Sequence, residues 1–122
     1  MRKVLFYGSL REGHYNHSYF EESFGKENFK CIGMREIKGY DLYSLGSYPA
    51  VIKSSDPESV VVMEEFEISE QAYDSVKRME LGAGYHEVET EDGFVFYAQN
   101  RDMSNRQRVE NGDWTKYKLS VA

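Results

Sequence analysis

The sequence predicts an α+β fold whose strands form a curved or barrel-like sheet. Short runs of β-branched and aromatic residues recur along the chain, and only two segments have the apolar spacing of an amphipathic helix. Glycines near the ends of the predicted strands favour bulges and curvature. No repeat or linker interrupts the 122 residues, so we expect one domain over residues 1–122.

The first strand and the loop after it form the most informative segment. An apolar run from Val4 to Tyr7 ends in Gly8 and Ser9, and Leu10 and Arg11 follow at once. A glycine directly after a strand can adopt backbone conformations closed to other residues, so consecutive N–H groups can converge on an anion. We therefore expect the loop to bind a small negatively charged group, the alternative being a plain turn.

The middle of the chain is predicted to contain one short helix and four strands. Aromatic residues at helical spacing indicate the helix, and Gly25 ends it. Pro49 belongs at a strand start, because proline cannot donate to a β-ladder. The predicted elements are a helix over residues 14–24 and strands over 29–37, 40–43, 48–52 and 60–68.

A second helix is predicted over residues 69–79. Ser69 is a good N-cap, Glu70 suits the positive end of the helix dipole, and apolar residues recur on one face. The segments after it are a Gly-rich turn at 81–84, a hairpin of residues 85–90 and 94–99, a polar loop or short helix over 101–110, and a turn before an apolar anchor, Trp114.

Composition argues against several classes of function. The formal net charge of −6 disfavours nonspecific binding to nucleic acids and to anionic membranes. Cys31 is the only cysteine, and the N-terminal apolar run is too short for a signal peptide or a membrane span. We therefore expect a cytoplasmic protein with no nucleic-acid and no membrane partner.

The three histidines do not indicate a metal centre. His14 and His17 lie three residues apart on the predicted first helix, where they could face one ion, but no third histidine or cysteine supports them. His86 lies far along the chain in a predicted strand. We expect surface histidines and predict no metal site.

Glu80 is the strongest candidate for an acid/base group. It falls where the second helix meets the Gly-rich turn, beside Met79, Leu81 and Tyr85. A carboxylate in partly apolar surroundings can have a raised pKa and exchange protons near neutral pH. The alternative is an exposed carboxylate at a helix end.

Four segments together carry a resemblance to a known family. They are Val4-Leu5-Phe6-Tyr7-Gly8-Ser9-Leu10-Arg11, the run from Leu42 to Val51, Val76-Lys77-Arg78-Met79-Glu80 followed by Tyr85, and Asn111-Gly112-Asp113-Trp114. With these motifs nearly the whole chain resembles the γ-glutamylcyclotransferase-like family, which includes γ-glutamylamine cyclotransferases. The resemblance implies a small mixed β-barrel with flanking short helices.

The resemblance also implies a reaction and a site. The reaction is cyclisation of a small-molecule γ-glutamyl compound, which releases 5-oxoproline and a free amine and requires no cofactor. In the family the loop after the first strand binds the α-carboxylate of the substrate, largely through backbone N–H groups, and a glutamate at the position of Glu80 is the acid/base group. The substrate-binding residues implied are Tyr7, Gly8, Ser9, Leu10 and Tyr85.

Three residues depart from the family pattern. Met63 replaces a glycine, Lys77 replaces an aspartate, and Glu87 stands where an arginine is common. None of them removes Glu80, but an exchange of Arg for Glu reverses a local charge, so we expect it to bear on the choice of substrate. Two other functions stay open at this point: a non-catalytic small-molecule binder that uses the same pocket, and a protein-interaction module that uses exposed aromatic residues.

Overall fold

Residues 1–121 are described by a computed structural model and contain three α-helices and eight strands, which confirms the predicted α+β class. The last residue of the predicted domain, Ala122, lies outside the described residues. The elements are β1 (Arg2–Phe6), α1 (Tyr15–Phe24), a 3-10 helix (Lys26–Asn28), β2 (Phe29–Lys38), β3 (Tyr40–Ser44), β4 (Pro49–Lys53), β5 (Val60–Ile68), α2 (Glu70–Gly82), β6 (His86–Glu89), β7 (Val95–Ala98), β8 (Gln107–Arg108) and α3 (Trp114–Val121).

The strands form two sheets, and neither sheet closes on itself within residues 1–121. One has the order β2-β5-β1-β7-β6, with β1 and β7 parallel, and the other has the order β4-β3-β8. Gly39, with a φ of +88°, turns the chain so that β3 leaves the sheet that contains β2. A backbone hydrogen bond of 2.8 Å from Gln99 to Val51 links β4 to the residue after β7. The predicted closed barrel is therefore not confirmed.

Strand β1 is buried on both faces and divides the core into two layers. Val4 and Phe6 face the layer that contains Tyr73 of α2, whereas Leu5 faces the layer that contains Trp114 of α3. This alternation follows from the two-residue period of a strand. The end of β1 therefore delivers its loop to the interior of the molecule rather than to an exposed edge.

Helix α2 is longer than predicted. The Ser69 hydroxyl accepts a hydrogen bond from the Ala72 N–H at 3.2 Å, which confirms the predicted N-cap. The helix continues to Gly82, and the residue with a positive φ that follows it is Gly84, at +90°. Glu80 consequently lies in the last helical turn and not beyond it.

The tail of the chain contains a helix that the sequence did not predict. Residues 101–110 include the two-residue strand β8 rather than loop alone, and α3 begins directly at Trp114. The Asp113 carboxylate accepts a hydrogen bond from the Lys116 N–H at 3.3 Å, as an N-cap does.

The expectation of surface histidines is wrong for His17. Its imidazole is buried between the rings of Phe29 and Phe66, with centroid distances of 5.4 and 5.5 Å, because it lies on the inward face of α1. Among residues 1–121, no group of three or more His, Cys, Asp or Glu side chains is arranged to hold a metal ion. The described helices include none that is long and apolar enough to cross a membrane.

Candidate active site

A cavity of about 230 Å³ lies where the loop after β1, the end of α2 and the turn before β4 meet. Its lining is predominantly apolar and aromatic. All six residues predicted from the sequence to form a site contribute to the lining: Tyr7, Gly8, Ser9, Leu10, Glu80 and Tyr85. The structure thus brings the loop and the candidate acid/base group together, although they lie far apart in the chain.

Gly8 is required by a close contact and not by its backbone conformation. It is not among the glycines of residues 1–121 that have a positive φ, so the unusual conformation expected from the sequence is wrong. A Cβ atom at this position would lie 2.7 Å from Cγ of Pro49 and 2.8 Å from its Cδ. Only a residue without a side chain therefore lets the proline ring close the cavity against the loop.

The loop is held through its carbonyl groups and its serine side chain. The Gly8 carbonyl accepts the Arg11 N–H at 3.0 Å, and the Ser9 carbonyl accepts the His17 N–H at 3.1 Å. The Ser9 hydroxyl accepts a hydrogen bond from the side chain of Asn16 at 2.7 Å. No acceptor for the N–H of Ser9 or of Leu10 is found within residues 1–121. Both residues line the cavity, and N–H donors without an acceptor are what an anion-binding loop offers.

Glu80 lies half-buried in the last turn of α2, and burial raises the pKa of its carboxyl group to about 7. Within the described part of the chain, its carboxylate has no hydrogen-bond or ion-pair partner. Its backbone carbonyl accepts the N–H groups of Ala83 and Tyr85, at 3.1 and 3.0 Å, which fixes the turn after the helix. A carboxyl group with such a pKa can both accept and donate a proton near neutral pH.

Two tyrosines form walls of the cavity and have fixed hydroxyl groups. The Tyr7 hydroxyl donates to the backbone oxygen of Tyr97 at 2.5 Å, and the Tyr85 hydroxyl donates to that of Pro49 at 2.8 Å. Burial raises the pKa of both phenols, and the nearby negative charge of Glu80 adds to the rise. Both side chains are therefore neutral around pH 7, and they connect β7 and the start of β4 to the site.

Two of the departures from the family pattern contact each other outside the cavity. Lys77 Nζ lies 4.0 Å from Glu87 Oε1, and neither residue lines the cavity. The other oxygen of Glu87 accepts hydrogen bonds from the hydroxyls of Tyr73 and Tyr97. Burial raises the pKa of Glu87, but these hydrogen bonds outweigh it and leave the pKa below its usual value. The reversed charge at Glu87 is thus compensated by Lys77.

Two further residues that shape the cavity, Asn16 and Pro49, were not predicted from the sequence. Asn16 holds Ser9, and no local signal distinguishes it from other polar residues of α1. Pro49 both packs against Gly8 and accepts from Tyr85. Pro49 lies directly after Tyr48 inside the second family motif, and this position could have indicated that it contributes to the site.

The chain belongs to the family described as "Gamma-glutamyl cyclotransferase, AIG2-like", which it matches over residues 4–116. Among curated proteins it is similar to one of Pyrococcus horikoshii named "Putative gamma-glutamylcyclotransferase PH0828". The two are 27% identical over 114 residues, which are 92% of this chain and 90% of the relative.

Solved structures share the fold. The crystal structure of PH0828 has a TM-score of 0.78 at 23% identity and aligns with 99% of this chain and 96% of its own. The solution structure of ytfP from Escherichia coli has a TM-score of 0.69 at 25% identity, with 95% of this chain and 98% of that chain covered. An allophanate hydrolase of Kluyveromyces lactis has a TM-score of 0.76 at 16% identity, and the match covers 99% of this chain but only 21% of that chain.

Proposed function

We propose that this protein cyclises a γ-glutamyl compound, releasing 5-oxoproline and a free amine, with Glu80 as the acid/base group. Family membership and the name of the Pyrococcus relative support the general activity. The observation that carries the residue assignment is one cavity lined by both Glu80 and the loop of residues 7–10. A raised pKa at Glu80, due to burial, suits it to this role.

The loop supplies the binding site for the α-carboxylate of the substrate. The N–H groups of Ser9 and Leu10 donate to it, and because they are held by the fold they need no reorganisation when the substrate arrives. A cavity of about 230 Å³ suits a glutamyl group. The leaving amine then extends towards Tyr15 and Tyr48, which line the cavity and are 67% and 44% exposed.

The reaction forms one C–N bond and breaks another. The Glu80 carboxylate accepts a proton from the α-ammonium group, and the resulting amine attacks the γ-carbonyl carbon. As the original amide C–N bond breaks, protonated Glu80 returns the proton to the departing nitrogen. The remaining surplus proton of the ring nitrogen passes to the released amine through water, so Glu80 ends as a carboxylate and no oxidant or cofactor takes part.

Two effects supply the rate acceleration. Holding the amine against the carbonyl in one bound conformation is worth up to roughly 7–11 kcal/mol when the groups are well oriented. Acid/base assistance contributes about 10²–10⁴-fold. Glu80→Gln removes the second effect and leaves the volume of the cavity unchanged.

The test measures 5-oxoproline by mass spectrometry after incubation with a panel of γ-glutamyl amino acids and γ-glutamyl amines. Wild type should release 5-oxoproline from at least one compound, and Glu80→Gln should lose that activity. Glu89→Gln is the matched control, because Glu89 is exposed and does not line the cavity. Undiminished turnover by Glu80→Gln would remove Glu80 from the mechanism. Binding of the compounds without product from wild type would instead identify a non-catalytic binder.

A further inference from the structure

Three ionised residues meet beneath the proposed substrate loop. Arg11 is only 5% exposed, and its Nε donates to Glu64 Oε2 at 2.9 Å while its Nη1 donates to Asp113 Oδ1 at 2.9 Å. Both carboxylates are buried as well. These residues, here termed the loop clamp, join the end of the loop to β5 and to the segment before α3.

Glu64 holds the loop twice. Its second oxygen, Oε1, accepts the backbone N–H of Glu12 at 2.7 Å, so one carboxylate fixes the side chain of Arg11 and the main chain of the next residue. Glu64 lies opposite Phe6, the last residue of β1, in a strand that is paired on both sides. The anchor is therefore part of the most extensively paired region of the sheet.

Asp113 is fixed by the same strand. The Gly112 carbonyl accepts the Val62 N–H at 2.8 Å, and a Cβ on Gly112 would lie 2.0 Å from the carbonyl oxygen of Val60. The main chain before α3 therefore packs directly on β5, and Asp113 is presented to Arg11 in a defined position. The positions of both carboxylates of the loop clamp are therefore fixed by the same strand, β5.

Stability does not account for such an arrangement. Removing charges from water costs free energy that a buried ion pair often does not recover, and apolar residues of similar volume often stabilise a core as well. Charge-assisted hydrogen bonds do, however, define geometry, since they are short and directional. Because the loop clamp lies next to residues 8–10, the geometry that it defines is that of the loop backbone.

We infer that Glu64 and Asp113 are positioning residues, which hold Arg11 so that the N–H groups of Ser9 and Leu10 keep the orientation in which they bind the substrate carboxylate. The identity of the bound group rests on the proposed function, whereas the ordering of the loop does not. The Ser9 carbonyl, which accepts the His17 N–H, fixes the loop from the α1 side, and the loop clamp fixes it from the β5 side.

Glu64→Gln and Asp113→Asn keep the size of each side chain and remove its charge. Weaker bonds to Arg11 should let the loop move, and the Ser9 and Leu10 amides should show altered chemical shifts and increased ¹⁵N relaxation on the microsecond to millisecond timescale. KM should rise roughly tenfold or more, the scale of one lost charge-assisted hydrogen bond. The value of kcat should change much less, because carboxylate binding acts on substrate and transition state alike.

The control is Glu65→Gln on the same strand. Glu65 also pairs with an arginine, Arg35, at 2.6 Å, and Arg35 likewise bridges to a second carboxylate, that of Asp92. Adjacent residues of a strand face opposite sides of the sheet, so this second cluster lies away from the loop. Glu65→Gln should therefore leave the loop amides and KM unchanged.

The experiment compares wild type, Glu64→Gln, Asp113→Asn and Glu65→Gln by NMR and by steady-state kinetics on a substrate found in the panel above. If a carboxamide variant does not fold, Arg11→Lys takes its place, since an ammonium cannot reproduce the fixed fork of a guanidinium. Altered loop amides in the clamp variants but not in the control support the positioning role. Unaltered loop amides in folded clamp variants overturn it. Altered amides with an unchanged KM keep the positioning role and contradict carboxylate binding by the loop.

Discussion

Lys77 on α2 and Glu87 on β6 form an ion pair in which Nζ lies 4.0 Å from Oε1. The family pattern that the sequence resembles has an acidic residue at position 77 and a basic residue at position 87, so relative to that pattern the two positions have exchanged charge. The pair lies behind Tyr97, whose hydroxyl donates to Glu87 and whose side chain lines the cavity. The exchange therefore preserves local neutrality and leaves the cavity without a new charge.

Restoring the family charges at both positions should be tolerated. Glu87→Arg alone places a cation beside Lys77 and removes the acceptor of two tyrosine hydroxyls, so it should lower the free energy of unfolding by about 1–3 kcal/mol. Adding Lys77→Asp should recover part of that loss, on the order of 0.5 kcal/mol for a partly exposed pair. Urea unfolding of the two single variants and the double variant measures the coupling. Strictly additive losses would show that the two residues are independent.

The rate should depend on pH through Glu80. Its carboxyl group must be ionised to accept the ammonium proton, and its pKa is raised to about 7 by burial. We expect kcat/KM to rise with pH up to about 7 and then to level off until the substrate amine itself titrates. A pH series on wild type checks this expectation. An ascending limb centred near the ordinary carboxyl value of 4.5 would contradict the raised pKa.

The stability of the folded protein should also depend on pH through Glu80, and it should fall as the pH rises. The folded state binds the Glu80 proton more tightly than the unfolded chain does, so ionisation favours unfolding between about pH 4.5 and 7. The free energy of unfolding of wild type should fall relative to that of Glu80→Gln across this range, on the order of 2 kcal/mol, and stay level above it. Denaturant titrations of both proteins at a series of pH values provide the comparison. If the free energies of unfolding of the two proteins changed in parallel with pH, the raised pKa of Glu80 would be excluded.

Gly8→Ala should disrupt the site. The added Cβ would lie 2.7 Å from the ring of Pro49, so the loop or the proline must move, at a cost of about 1–3 kcal/mol. Substrate binding should weaken as well, because the same loop carries the two free N–H donors. Gly82→Ala is the matched control: its Cβ meets open space near the end of α2, and the change should stabilise the protein by about 0.5–1 kcal/mol. Thermal unfolding and KM measurements distinguish the two variants.

Local patterns predicted the elements well. Strand β5 has the predicted bounds, because the alternation of its apolar residues is a property of the segment alone. The N-cap at Ser69 was predictable for the same reason. The division of the strands into two sheets could not be predicted, because it depends on the turn at Gly39 and on which distant strands pair.

The six residues predicted for the site line one cavity, but the burial of Glu80 was predicted only in part. Glu80 was expected to have a raised pKa because Met79, Leu81 and Tyr85 lie beside it in the sequence; Leu81 is 47% exposed and does not line the cavity, whereas Met79 and Tyr85 do. Tyr7, which is far from Glu80 in the sequence, lines the same cavity. Likewise, the contact between Lys77 and Glu87 joins two elements whose packing no local pattern reveals.

The loop clamp also has a consequence for biosynthesis. Arg11 and Asp113 are 102 positions apart, so a nascent chain displays its N-terminal loop long before the residue that holds it has been made. Likewise, the Tyr7 hydroxyl can donate to the backbone oxygen of Tyr97 only after a further 90 residues have been added. Contacts of such long range slow folding. The N-terminal loop therefore reaches its final geometry only after residue 113 has been made, and a fragment that ends before it lacks one of the two carboxylates that hold Arg11.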